Sequence, residues 1–198
     1  MTALRKTVRI VVTGGPGGGK TTAADLFRRE MAERVTLVPE AATLLFAGGF
    51  PRSKDMGARR AAQNAIFHVQ RNLEDVFTSL HPGRILLCDR GTVDGAAYWP
   101  GPPDEFFAQM GSSAAAELAR YDACLFFETG AASHAGDLKS NNPVRTETAD
   151  EAVELDRALH ALWSKHPRFV HVPSNHSFFK KISLGLGMLE RLVGELGG

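Results

Sequence analysis

The apolar positions of the chain follow two rhythms. Short apolar runs at Val8–Thr13, Thr36–Val38, Arg84–Cys88, Ala123–Phe127 and Phe169–Val172 read as strands. Between them lie longer stretches whose apolar residues recur three and four apart, the signature of helices. Thr21–Arg34 is one, with Leu26, Phe27 and Met31 expected on its apolar face. Gly57–Leu80 is a long one, with Ile66, Val69, Leu73 and Val76 in sequence. Another ends over Ala114–Arg120. Glu147–Ser164 follows, with Val153, Leu155, Leu159 and Leu162. Phe178–Leu196 closes the chain, with Phe179, Ile182, Leu186, Leu189, Val193 and Leu196.

Strands alternating with helices imply a parallel sheet covered on both faces. Right-handed crossovers then bring the C-terminal ends of the strands to one edge, where open α/β sheets bind ligands. Two stretches read as loops: Ala47–Lys54, with two glycines and a proline, and the polar run Gly130–Pro143. The second is long enough to suggest a lid, at about residues 130–146.

Composition narrows the class. The 198 residues suit a single domain, 1–198, and 43% hydrophobic with 23% charged residues is globular. A net charge of +1 argues against a general nucleic-acid binder, so no nucleic-acid partner is expected. The two cysteines, Cys88 and Cys124, lie in apolar runs and read as buried, reduced thiols. A reducing, cytoplasmic location is therefore expected. No apolar run approaches the ~20 residues that span a bilayer, and the first residues lack the apolar core of a signal peptide.

The chemistry begins at Gly14-Gly15-Pro16-Gly17-Gly18-Gly19-Lys20-Thr21, which fits G-x-x-x-x-G-K-[ST]. A strand precedes it and a helix follows, the context that a phosphate loop requires. Glycines let the backbone wrap phosphate oxygens with its N–H groups pointing inward, and the helix start adds partial positive charge. Gly14 to Thr22 are therefore expected to cradle a nucleoside triphosphate, ATP or GTP. Lys20 would neutralise its β- and γ-phosphates and the Thr21 hydroxyl would ligate Mg²⁺. Ile85-Leu86-Leu87-Cys88-Asp89 is an apolar strand ending in a carboxylate, the Walker B form, so Asp89 is the second expected Mg²⁺ contact.

Three uses of the nucleotide can be separated. A GTPase switch usually reads guanine with an Asn/Thr-Lys-x-Asp run, and Ser53-Lys54-Asp55 is misspaced for that. A transport ATPase would need a long insertion with its own signature, and a mechanical motor normally a second helical domain. A compact phosphotransferase is left as the leading class. Glu40, Arg90 and Glu128 follow strands and are expected on the edge that carries the phosphate loop. Glu40 reads as base and acceptor anchor, or else as a solvated loop residue. Arg90 reads as a clamp on the phosphoryl group or acceptor, or else as the partner of Asp89. Glu128 reads as structural. Arg145 could swing from the lid onto the phosphates and exclude water, or lie exposed on a flexible loop. Gln63, Phe67 and Gln70 could contact the acceptor, or Phe67 could pack in the core while the glutamines are solvated. His166, His171 and His176 recur at a spacing that fits no zinc motif.

Together, GGPGGGKTT, VPEAATLLFAGGFP, CDRGTVDGAAYWP, YDACLFFET and NPVRTETADEAVELDRALHALWSKHPRFVHVP resemble one family of P-loop ATPase/kinase-like proteins. It includes the ribosylnicotinamide kinase domain of the bacterial NAD regulator and the GTP-binding protein named for a defect in TRPL translocation. The resemblance runs from Ile10 to about Val172. It implies the nucleoside and nucleotide kinase fold, with a five-stranded parallel core and a lid. It implies that Glu40 stands where deoxynucleoside kinases carry their base, and that Asp89-Arg90 stands where they carry an acidic-Arg motif. It puts Arg145 on the lid and Arg157 on the helix after it. One branch is described as binding GTP and an acidic phospholipid, so the acceptor does not transfer by analogy.

The expectation is a single-domain P-loop kinase-like protein. It would transfer the γ-phosphoryl group of MgATP or MgGTP to a hydroxyl of a nucleoside-like small molecule. The alternative is a nucleotide-dependent regulatory binding protein with a lipid or protein partner and slow hydrolysis.

Overall fold

The computed structural model describes residues 7–130 and 148–197. Arg145 and the rest of the expected lid after Gly130 lie outside the described residues. Five strands, β1 (Arg9–Thr13), β2 (Val35–Val38), β3 (Ile85–Asp89), β4 (Ala123–Phe127) and β5 (Phe169–Val172), form one sheet in the order β2-β3-β1-β4-β5. Every pairing is parallel. The described helices are α1 (Lys20–Met31), α2 (Ala41–Ala47), α3 (Met56–Leu80), α4 (Gly95–Tyr98), α5 (Pro103–Gln109), α6 (Ala114–Leu118), α7 (Ala149–Trp163) and α8 (Phe178–Leu196).

Side chains alternate across a strand, so each central strand feeds two cores. Ile10, Val12, Leu87, Leu125 and Phe127 meet Phe27 and Met31 of α1 and Ile182, Leu189 and Val193 of α8. On the other face Val11, Leu86, Cys88, Cys124 and Phe126 meet Phe67 of α3, Phe106 of α5 and Leu159 and Trp163 of α7. Both cysteines are free and buried, as their apolar runs suggest, and burial pushes their thiols up. No described helix is long and apolar enough to cross a membrane.

Three expected faces are corrected. On α1 the buried stripe is Ala23, Ala24, Phe27 and Met31, while Leu26 is 39% exposed. The small alanines let α1 lie close on the sheet, and Leu26 falls on the far side of that line. On α3 the centre of the buried stripe is Ala62, Phe67, Gln70 and Glu74. Ile66, Val69 and Leu73 flank it and Val76 faces solvent. A polar network fills the position that the apolar spacing assigned to carbon. Phe179 is 79% exposed, and α8 turns Lys181 and Ile182 inward instead.

Helices α2, α4 and α5 interrupt stretches that carried no helical expectation. The start of α5 is legible afterwards: Pro103 opens the first turn and Asp104 and Glu105 follow, all favourable at a helix N-terminus. Helix α7 begins with a capping box in which Thr148 and Glu151 satisfy each other's backbone N–H groups.

Candidate functional site

The phosphate loop joins the end of central strand β1 to α1. Its backbone is turned by Gly14, Gly17 and Gly19, with φ of 132°, 77° and 83°. At Gly14 a Cβ would also overlap the Phe127 carbonyl, so the position is closed to any side chain.

The loop is held from outside by its carbonyls. Arg90 Nη1 donates to the Gly14 carbonyl at 2.8 Å, and Thr129 Oγ1 to that of Pro16 at 2.6 Å. Lys181 Nζ donates to the Gly18 carbonyl at 2.8 Å. Lys20 Nζ reaches the Gly15 carbonyl at 2.6 Å. Carbonyls drawn outward leave the inside of a glycine turn to its N–H groups, the arrangement that receives phosphate. Two N–H groups are exceptions: that of Gly18 donates to the Gly15 carbonyl at 3.3 Å, and that of Gly15 to Asp156 Oδ1 at 2.7 Å. The same oxygen accepts the Thr129 N–H at 2.9 Å.

Strand β3 is the direct neighbour of β1, with Asp89 in register with Val12. That pairing brings Asp89 beside the start of α1, where the Thr21 hydroxyl hydrogen-bonds it. Asp89 is 5% exposed, and its carboxyl is raised to about 6. Desolvation is the main cause and the neighbouring Glu40 the second, opposed by Arg90, Lys20 and Thr21. A buried carboxylate with a hydroxyl at its side is a pair of hard oxygen donors that suits a hard divalent cation. Thr21 and Asp89 fit Mg²⁺ on that ground.

Immediately after Asp89 the chain turns through Arg90 at φ 74°, the left-handed region, which costs a non-glycine residue roughly 1 kcal/mol or more. The turn sends the guanidinium back toward the phosphate loop. Its Nε lies 3.3 Å from Glu40 Oε1 and its Nη1 3.0 Å from Asp94 Oδ2. Arg90 therefore pairs with Glu40 and Asp94, not simply with Asp89. Desolvation works against its charge, but Tyr98, Asp94, Glu40 and Asp89, in that order, raise its already high pKa further. Glu40 precedes α2 and also accepts a hydrogen bond from Thr43 Oγ1. It is not a solvated loop residue.

Glu40 and Arg90 stand at one end of a cleft of about 780 Å³ between α2, α3, α4 and α7, and Pro16 of the phosphate loop lines the same cleft. Gln63, Phe67 and Gln70 line it too. Phe67 packs in the core. Gln70 is buried and bonded, accepting the Ala41 N–H at 3.2 Å and donating to Glu74 at 3.3 Å, contrary to the solvated reading. Glu128 is structural: its carboxylate accepts the Ser174 N–H at 2.7 Å and its carbonyl accepts from Lys181. Arg157 sits on α7, exposed.

Four supporting residues escaped the sequence reading: Asp94, Thr129, Asp156 and Lys181. Asp94 gathers Thr13 Oγ1 at 2.7 Å, Arg90, and Trp163 Nε1 at 2.6 Å. Lys181 is buried, and desolvation lowers its ammonium to about 8 against the pull of Asp156 and Glu128. A signal existed for two of them. Asp156 falls on the apolar face of α7 with Ala152, Leu159 and Trp163, and Lys181 on the buried face of α8. A charge on an apolar stripe needs a partner inside.

No curated protein matches the chain. The model of the AAA domain matches residues 9–179, which takes in the phosphate loop, the Asp89 strand, the cleft and the start of α8. A nucleotide-binding loop on a five-stranded parallel sheet, matched over most of its length, identifies the chain as a member of the AAA domain family of P-loop NTPases.

Proposed function

We propose that the protein is a small-molecule kinase, transferring the γ-phosphoryl group of ATP or GTP to a hydroxyl of a nucleoside-like acceptor. The observation that carries this reading is the shared wall: the phosphate loop and the Glu40–Arg90 pair open onto one cleft of about 780 Å³. That size accommodates a small ligand as well as the reacting groups. Hydrolysis alone needs only room for a water.

In transfer, a bond forms from the acceptor oxygen to the γ-phosphorus while the bond to the β–γ bridging oxygen breaks. Glu40 takes the hydroxyl proton, and Arg90 fixes the carboxylate that receives it. Lys20 leaves the Gly15 carbonyl for the phosphate oxygens. Thr21 and Asp89 would hold Mg²⁺, which would supply charge neutralisation on those oxygens. Arg145 remains a candidate for the lid side of the same reaction.

The test is an acceptor screen. The protein is incubated with Mg²⁺ and ATP or GTP in a desalted small-metabolite extract, with Lys20→Ala as control. A product heavier by one phosphoryl group, absent from the control, is expected. Nucleotide consumption with no phosphorylated small molecule would favour a nucleotide-dependent binding protein instead.

A further inference from the structure

The two ends of the cleft differ in how their cations are used. At the inner end the Arg90 guanidinium is engaged by Glu40, Asp94 and the Gly14 carbonyl. At the mouth, Arg52, Lys54 and Arg59 line the same cleft from the α2–α3 connection and the first turn of α3, and all three are exposed. Arg52 has no ion pair or hydrogen bond among the described residues; its guanidinium lies 4.0 Å from the centre of the Phe46 ring. Cation–π attraction at that distance holds the guanidinium over the ring and uses none of its N–H groups in a hydrogen bond. Arg59 donates one Nη2 bond to the Tyr98 carbonyl at 2.9 Å, which steers the rest of its fork.

The facing wall is acidic. Glu151 and Glu154 line it from α7. Glu151 is held below its ordinary range first by its hydrogen bonds with Thr148 and more weakly by Lys54. Among the described residues, then, the positive charge at the mouth lies on the α2–α3 side. Two pre-set guanidinium forks with an ammonium between them in sequence match a phosphate monoester, with its double charge and three acceptor oxygens.

We infer that the acceptor is a soluble phosphomonoester whose phosphate sits among Arg52, Lys54 and Arg59 while its hydroxyl end reaches Glu40. This rests on the reading of the cleft as the acceptor site, and it narrows the acceptor from nucleoside-like to nucleotide-like.

The test measures binding, so it does not depend on transfer. The full chain is loaded with Mg²⁺ and a non-hydrolysable ATP analogue. Matched pairs of the common nucleosides and their 5′-monophosphates are titrated by calorimetry at low and high salt. At least one monophosphate is expected to bind about tenfold or more tightly than its nucleoside, with the advantage shrinking at high salt. Arg52→Gln and Arg59→Gln should each remove part of that advantage and together most of it, leaving the share of Lys54, with the thermal midpoint little changed because both side chains are exposed. Vesicles carrying phosphatidate present the same group on a surface. Capture by those vesicles without binding of any soluble monophosphate would overturn the inference. So would equal affinity within every pair, or an advantage undiminished by the double substitution. Transfer to a neutral nucleoside with no preference for its monophosphate would overturn this inference and leave the kinase reading standing.

Discussion

The carboxylate of Asp156 accepts the backbone N–H of Gly15 at 2.7 Å, across 141 residues of sequence. Helix α7 thereby holds the first turn of the phosphate loop, and the fit is close enough that a Cβ at Gly15 would fall 2.6 Å from Asp156 Oδ1. Asp156→Ala would leave the N–H groups of Gly15 and Thr129 without their acceptor. Hydrogen bonds to a charged group contribute about 1.5–3 kcal/mol, so nucleotide affinity should fall roughly ten- to a hundredfold. Titration with a fluorescent ATP analogue checks this. Unchanged affinity would mean that the loop holds its shape without α7.

Lys20→Ala should remove turnover by about a hundredfold or more, the range for losing one charged stabiliser of a transferring group. The fold should persist, since Lys20 bonds a loop carbonyl that other donors help to orient. Steady-state rates and circular dichroism on one preparation separate the two effects.

Glu40→Gln is the cleaner test of the proton acceptor. Its volume is conserved and the amide oxygen can still accept from Arg90 or Thr43. Transfer should drop about a hundredfold while nucleotide binding stays within a fewfold. Arg90→Ala is not equivalent. It takes from the Gly14 carbonyl its Arg90 donor and from buried Asp94 its cation, and breaking such a buried pair costs about 3–5 kcal/mol. It should lower the thermal midpoint and weaken nucleotide binding, measured by calorimetric melting and titration.

The ligand-free protein should lose stability as pH rises from about 4 to 6. Asp89 is raised from 3.8 to about 6, so the folded state binds more protons than the unfolded chain within that window. Asp89→Asn should flatten the slope and raise the melting temperature at pH 7.5, at the cost of Mg²⁺ dependence. Lys181 acts at the alkaline end. Its ammonium is lowered from 10.5 to about 8, so stability should rise from pH 8 toward 10.5 as the unfolded chain alone keeps the proton. Melting curves across pH 4–10 in wild type and Asp89→Asn test both signs.

Strands and phosphate loop were legible because each depends on local chemistry. Ala123–Phe127 and Phe169–Val172 match the observed strands residue for residue, and the glycine run states its own geometry. What escaped was whatever depends on distant pairing. The buried face of α3 moved because Gln70 and Glu74 are satisfied by Ala41, Arg120 and Tyr121, partners far along the chain. The partners of Arg90 could not be read from its neighbour Asp89, because the left-handed turn at Arg90 sends its side chain toward Asp94 and Glu40. Helix α2 is only seven residues long, too short to leave an apolar period to detect.

The tethers of the phosphate loop have a consequence for synthesis. The loop is synthesised before Thr129, Asp156 and Lys181, the residues that hold it. Strand β1 likewise waits for both sheet neighbours, β3 and β4. A nascent chain halted before α8 therefore carries the whole glycine motif without the Lys181 brace that shapes it. A loop that needs that brace takes its nucleotide-binding shape only after α8 has been made, so nucleotide acts as a late stabiliser of the domain and not as a nucleus for it.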